Sequence, residues 1–215
     1  LGDVYKRQIY KDSNLKNITA DENFNTFSLS WYNNTDVDPA TGLTPYINMQ
    51  KVLKVCHDFV DNFDNTFSNL LFIGQTGVGK TFLSNCIARA LMDSCHSIIY
   101  LTAGEFFDSF KSDDFKEFGS SKFDTSFFVE CDLLIIDDLG TEKASDYNFS
   151  NLFNTINERL LRRKSIIISS NLEMPDIETR YSQRIFSRLV SAYSILRLFG
   201  DDIRCMKKLS PTKRS

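Results

Sequence analysis

The sequence predicts an α/β fold in three layers, a mainly parallel sheet covered by helices on both faces. Three observations carry that expectation. Five short runs, NLLFIG (69–74), SIIYLTA (97–103), DLLIIDDLG (132–140), SIIISSN (165–171) and SILRLF (194–199), are apolar with little polar interruption, the pattern of strands buried on both faces. They alternate with stretches of helical periodicity, which suits parallel strands joined by crossover helices. The first run passes to its helix through GQTGVGKT (74–81), a glycine-rich turn that ends one element and opens another.

Each element follows from its residues. Residues 12–45 are rich in Asn, Asp and Thr and hold four large anchors, Phe24, Phe27, Trp31 and Tyr32. They read as an irregular segment packed by its aromatics, which divides the chain into residues 1–45 and a folded domain of residues 46–215. INMQKVLKVCHDFVDNF (47–63) places Val52, Val55, Phe59, Val60 and Phe63 at helical spacing. TFLSNCIARALMDS (81–94) gathers Leu83, Ile87, Ala90 and Leu91 on one helix face. The stretch 103–130 mixes phenylalanine with acids and lysines and suggests two or three short helices. Residues 146–164 form a helix ending in RLLRRK, a basic run favourable at a helix C-terminus. A helix over 181–192 follows Pro175, then the last strand and a short basic tail.

Composition narrows the class. At 215 residues, 42% hydrophobic and 25% charged, the chain has the balance of one globular domain with an ordinary core. No apolar stretch approaches the ~20 residues of a membrane helix, and no secretory signal is visible. The expected setting is therefore the cytoplasm, with no membrane partner. Cys56, Cys86, Cys95, Cys131 and Cys205 are scattered without a C-x-x-C pair, which favours free thiols over disulfides or zinc. His57 and His96 each sit beside a cysteine, and two isolated dipeptides make no metal pattern. The chain begins at Leu1, and LGDVYKRQ is expected to be a cloning or assembly scar on a fragment. Residues 151–215 carry 13 Lys and Arg against 6 Asp and Glu, whereas residues 1–150 carry 12 against 22. A basic final third suits a phosphate-bearing partner, although several of its arginines read equally as solvated helix residues.

GQTGVGKT fits G-x-x-x-x-G-K-[ST] at every position. Gly74, Gly77 and Gly79 admit backbone conformations closed to other residues, so successive N–H groups can turn inward around phosphate oxygens. Gln75, Thr76 and Val78 complete the loop. Lys80 brings a positive charge to the β- and γ-phosphates, Thr81 offers a hydroxyl to Mg²⁺, and the helix that follows, with Phe82 in its first turn, adds its positive end. The expected cofactors are ATP and Mg²⁺.

A phosphate loop needs a second source of carboxylate. DLLIIDDLG places Asp137 and Asp138 at the carboxyl end of a buried strand, where ligands collect in such sheets. Asp137 would hold Mg²⁺ through water, and Asp138 could orient or activate the attacking water. About 50 residues separate the two motifs, room for one intervening strand, so another strand should lie between loop and carboxylate. SIIISSN is the candidate, and Asn171 at its tip would sit beside the γ-phosphate. A small-molecule kinase would need an acceptor pocket and a lid, and neither has a candidate segment.

With these motifs in place, the chain resembles the bacterial helicase-loader ATPases of the DnaC/DnaI type and the related IstB transposition helpers, all AAA+ proteins. The resemblance runs from about Phe24 to Lys208 and rests on NLLFIGQTGVGKTFLSNCIARAL, SIIYLTAGEFF, DLLIIDDLGTE, IIISSNL, RYSQRIFSRL and FGDDIRCMK, in that order. It implies a P-loop NTPase core with strand order 5-1-4-3-2 and ATP bound at a subunit boundary, hence self-association through the ATP site. It makes Asn171 the sensor-1 residue, Arg184 the arginine finger with Arg188 in support, and Arg204 the sensor-2 arginine. Each arginine also has a reading as a surface charge.

Two departures from the family pattern matter. Asp138 stands where most AAA+ enzymes have Glu, which suggests slow hydrolysis, and Glu142 is a possible substitute. Only 44 residues follow Asn171, too few for a full helical lid, so the nucleotide is expected to be covered mainly by a neighbouring protomer. The loaders' usual N-terminal helicase-gripping domain is expected to be absent or cut off upstream. An insertion in this branch contacts single-stranded DNA, and the corresponding stretch, about 105–121, holds Lys111 and Lys116 among phenylalanines, with Lys122 just beyond; its spacing also fits a helix core face. The expected function is ATP-dependent loading of a replicative DNA helicase onto single-stranded DNA. The alternatives are an IstB-like transposition helper and a nucleotide-gated adaptor that scarcely hydrolyses ATP.

Overall fold

In the computed structural model, which describes residues 21–111 and 125–209, five parallel strands form one sheet. They are β1 (Leu70–Ile73), β2 (Ile98–Thr102), β3 (Leu133–Leu139), β4 (Ser165–Ser170) and β5 (Ser194–Arg197). Their spatial order is β2-β3-β4-β1-β5, the expected order read from the other edge. Leu71 lies opposite Ile168 on one side and Ile195 on the other. β4 therefore separates the loop strand β1 from the acidic strand β3.

The pleat sends alternate residues to two cores. Leu70 and Phe72 pack with Met49, Val52, Cys56 and Phe59 of α1 (Pro45–Asp61) and with Leu83, Ile87 and Leu91 of α2 (Lys80–Asp93). Leu71 and Ile73 belong to the opposite core, with Phe106 and Phe107 of α3 (Ala103–Lys111), Phe128 of α4 (Phe127–Glu130) and Leu152 and Ile156 of α5 (Asp146–Leu161). Ile177 of α6 (Met174–Arg180) and Ile185 and Leu189 of α7 (Gln183–Ala192) complete that layer. Three layers follow from the period-2 alternation of strands whose two faces are both apolar.

Helix boundaries follow local chemistry. Thr44 caps α1 by accepting from Ile47 N–H at 3.2 Å, and Pro45 takes the first position, so the helix starts two residues earlier than its apolar spacing indicates. Pro175 sits in the first turn of α6, a helix the sequence pattern does not mark. The segment expected as a basic tail instead forms α8 (Ile203–Leu209), where Asp202 accepts from the N–H groups of Arg204 and Cys205. No helix among the described residues is long and apolar enough to cross a membrane.

Cys56, Cys86 and Cys131 are buried and Cys95 and Cys205 exposed, all as free thiols. One basic residue departs from the solvated reading. Arg159 is fully buried, and its guanidinium donates to the carbonyls of Phe128, Cys131, Asp132 and Ser165 at 2.6–3.1 Å. It fastens α5 to the end of α4 and the starts of β3 and β4, at the amino ends of the strands, away from the phosphate loop.

Candidate functional site

The loop between β1 and α2 has the backbone that its glycines permit. Gly77 and Gly79 have φ of 83° and 105°, the left-handed region open to glycine. Space forbids a side chain as well: a Cβ on Gly77 would meet the Asp202 carboxylate at 2.2 Å, and one on Gly79 would meet the Tyr32 hydroxyl at 2.6 Å. The loop is thus held from both sides. Tyr32 donates to the Val78 carbonyl at 3.1 Å, and Ile203 N–H donates to the Gly77 carbonyl at 3.1 Å.

Lys80, the first residue of α2, is buried. Its ammonium donates to the carbonyls of Gly74 and Gln75 at 2.6 and 2.8 Å and to Asn171 Oδ1 at 2.6 Å. Burial lowers its pKa, while Asp138 and Asp137 oppose that shift. Asn171 follows the last residue of β4, so the sheet order itself brings its amide to the loop lysine.

At the end of β3, Asp137 is almost fully buried and accepts from Thr81 Oγ1 at 3.0 Å and from the Tyr100 hydroxyl at 2.8 Å, with Ser169 donating to its other oxygen. Burial, reinforced by Asp137, pushes the Tyr100 phenol up, so it stays a donor. In a regular strand Asp138 would point to the opposite face from Asp137. Here the β3–β4 register shifts between Ile136 and Leu139, and Asp138 has φ 58°. That bulge, of the kind that re-aims side chains beside sites, brings Asp138 to the same cavity as Lys80 and Asn171. Its N–H is held by Ser169 Oγ at 2.9 Å. Burial and then the neighbouring Asp137 raise its pKa, against Lys80 and Arg204.

Above these groups lies a cavity of about 250 Å³. Thr76, Gly77, Gly79, Lys80, Thr81 and Phe82 form one side, and Ile203, Arg204 and Lys207 of α8 another. The remaining wall comes from Glu22, Thr26, Phe27, Ser28, Trp31 and Tyr32. Trp31 belongs to a 3-10 turn over Leu29–Trp31. The Lys207 ammonium lies 5.6 Å from the Trp31 ring centre and 5.8 Å from that of Phe82, and Phe27 meets Phe82 edge-on at 5.6 Å. The segment read from sequence as packing alone therefore lines the cavity. Sequence reasoning missed Trp31 and Lys207 as cavity residues; only the aromatic anchors in a polar stretch hinted at the former.

The other expected residues divide. Arg204 lines the cavity. Arg184, second residue of α7, is exposed and does not line it. Arg188 donates to Asn157 Oδ1 at 3.3 Å. Glu142 is no substitute for Asp138: its carboxylate is buried and accepts from Gly140 N–H at 2.8 Å and from the Tyr181 hydroxyl at 2.5 Å. Lys111 pairs with Asp108 at 2.8 Å on the surface of α3, while Phe106 and Phe107 are buried in the core and cannot stack on bases. Lys116 and Lys122 lie outside the described residues.

The oxygen set fits a small hard cation. One hydroxyl and one carboxylate 3.0 Å apart are what Mg²⁺ takes from a protein when phosphates and waters supply the rest.

Comparison with known proteins agrees with this geometry. The IstB-like ATP binding protein family matches residues 45–210. The replicative helicase loader DnaC of Escherichia coli (strain K12) is 23% identical over 151 residues, 70% of this chain and 61% of its own. The phage-like element PBSX protein XkdC of Bacillus subtilis (strain 168) is 32% identical over 111 residues, 49% of this chain and 40% of its own. The chain thus spans about three-fifths of the length of the DnaC relative. Among solved structures, a DnaC helicase loader has a TM-score of 0.64 at 21% identity, covering 80% of this chain and 96% of that one. AMPPCP-bound DnaA from Aquifex aeolicus has a TM-score of 0.68 at 18% identity, covering 90% of this chain and 55% of that one. These likenesses establish the P-loop AAA+ fold.

Proposed function

Because the chain belongs to the IstB-like ATP binding protein family, we propose that it is an Mg²⁺-dependent ATPase that loads a replicative DNA helicase onto single-stranded DNA. The observation that carries the ATPase reading is the contact between Thr81 and Asp137 beneath a cavity that also holds Lys80, Asp138 and Asn171. Thr81 and Asp137 would hold the metal, which when bound polarises the phosphoryl oxygens and screens their charge.

The chain's own residues supply the rest. The loop amides and Lys80 bind and orient the phosphates. Asn171, already hydrogen-bonded to Lys80, positions the terminal phosphate and the water beside it. Asp138 accepts a proton from that water, its raised pKa making it a better base than an ordinary aspartate. Arg204 places positive charge at the cavity wall. Arg184, exposed and away from its own cavity, is proposed to act in a neighbouring protomer's site, where such an arginine is worth ~10³–10⁵ in rate.

The loader reading is supported by the DnaC relatives and by the DnaC structure, whose solved chain this protein spans almost wholly. ATP turnover measured with and without single-stranded DNA, at several protein concentrations, tests it. Turnover per subunit should rise with concentration and with DNA; a rate flat to both sinks the reading. Replacing Lys111 and Lys116 with Glu should weaken DNA binding and flatten its salt dependence, and unchanged affinity removes these lysines from the DNA path. A second reading, the transposition helper, is favoured by the family match itself. Co-purification of the full chain separates the two, a helicase in one case and a transposase in the other.

A further inference from the structure

We infer that Glu142 is a positioning residue that ties the turn after Asp138 to the helix carrying Arg184, so that this turn positions the arginine a protomer offers its neighbour. The inference rests on the proposed action of Arg184 in a neighbouring site.

The connection is short at both ends. From Asp138 the chain turns at once, because Thr141 Oγ1 donates to the Asp138 carbonyl at 2.9 Å and Gly140, with φ 108°, donates its N–H to Glu142. The Leu139 carbonyl is fixed by Ser170 Oγ at 2.6 Å, beside Asn171. Glu142 is therefore attached to the bulge that aims Asp138 and to the strand tip that presents Asn171.

Its other contacts all lie at the joint between α6 and α7. Oε1 accepts from the Tyr181 hydroxyl at 2.5 Å and lies 3.6 Å from Arg180 Nε, while the Arg180 guanidinium donates to the Glu142 backbone carbonyl. Tyr181 ends α6, Ser182 precedes α7, and Arg184 is the second residue of α7. Burial, reinforced by the bond to Glu142, pushes the Tyr181 phenol up, so it remains a donor. The Glu142 side chain is only 3% exposed. A carboxylate this buried, paired and hydrogen-bonded transmits a displacement of one partner to the other, since leaving any of these groups unpaired is costly.

Mixed assemblies test this. A Lys80→Ala protomer has a dead site and an intact arginine arm; an Arg184→Ala protomer has the reverse. Their mixture should recover turnover that neither shows alone. Adding Tyr181→Phe, which cuts the tie on its α7 side alone, to the Lys80→Ala protomer should lower that recovered rate by about tenfold or more, whereas adding it to the Arg184→Ala protomer, whose Asp138 turn keeps its bond to Glu142, should leave it within about twofold. Equal losses on either side, or no loss on either, overturn the inference. Glu142→Gln on the arm-bearing protomer should reproduce the loss and serves if Tyr181→Phe fails to fold. A mixture of the two parent variants that recovers nothing removes the neighbouring role of Arg184 and the inference with it; an active parent mixture with no arm-side effect removes the inference alone.

Discussion

Thr81 Oγ1 donates to Asp137 Oδ2 at 3.0 Å across 56 residues of sequence. Thr81 stands at the start of the helix after β1 and Asp137 at the end of β3, with β4 between them. The contact exists because the parallel sheet delivers every strand's carboxyl end to the same edge. Tyr100 and Ser169 donate to the same carboxylate, so Asp137 is held in place independently of anything it binds.

Lys80→Ala should lose ATP affinity by about tenfold or more, the scale of a charge-assisted bond, as read by nucleotide titration. Asp137→Asn should keep much of that affinity while raising the Mg²⁺ concentration needed for turnover by roughly tenfold. A Lys80→Ala protein that binds ATP like the parent overturns the site.

Asp138 has a carboxyl raised by burial and by Asp137. The carboxylate is the form that accepts a proton, so turnover should fall as pH drops through a value above the ordinary aspartate range. The acid limb of a kcat-against-pH profile reports it. Asp138→Asn should abolish turnover and that limb together, and Asp138→Glu, with its longer reach, should raise the rate.

Trp31 is the chain's only tryptophan, and it lines the cavity. Its fluorescence should therefore change on ATP addition and saturate with the binding isotherm. Trp31→Ala removes the contact with Lys207, worth ~0.5–2 kcal/mol, and should weaken ATP binding severalfold; an unchanged Kd places the nucleotide away from this wall.

Arg159→Leu should destabilise without touching the site. It leaves three buried carbonyls and the half-buried one of Asp132 short of a donor, a loss on the order of 3 kcal/mol or more. For a domain of this size that corresponds to a fall in Tm of roughly 6–12 °C, with ATP affinity at low temperature retained.

Glycines at fixed spacing, uninterrupted apolar runs and paired aspartates at a strand end are local signals, and they determined the phosphate loop, the five strands and the buried carboxylate of Asp137. They are legible because backbone freedom and side-chain periodicity are properties of neighbours in sequence. The tertiary structure alone decided that Asp138 turns on a bulge toward Lys80, that Trp31 meets Lys207 over the loop, and that Glu142 grips the joint ahead of Arg184. It also decided that Arg159 is buried rather than solvated. Each of these joins segments far apart in the chain, and a local pattern holds no information about which distant group will fill the space beside it.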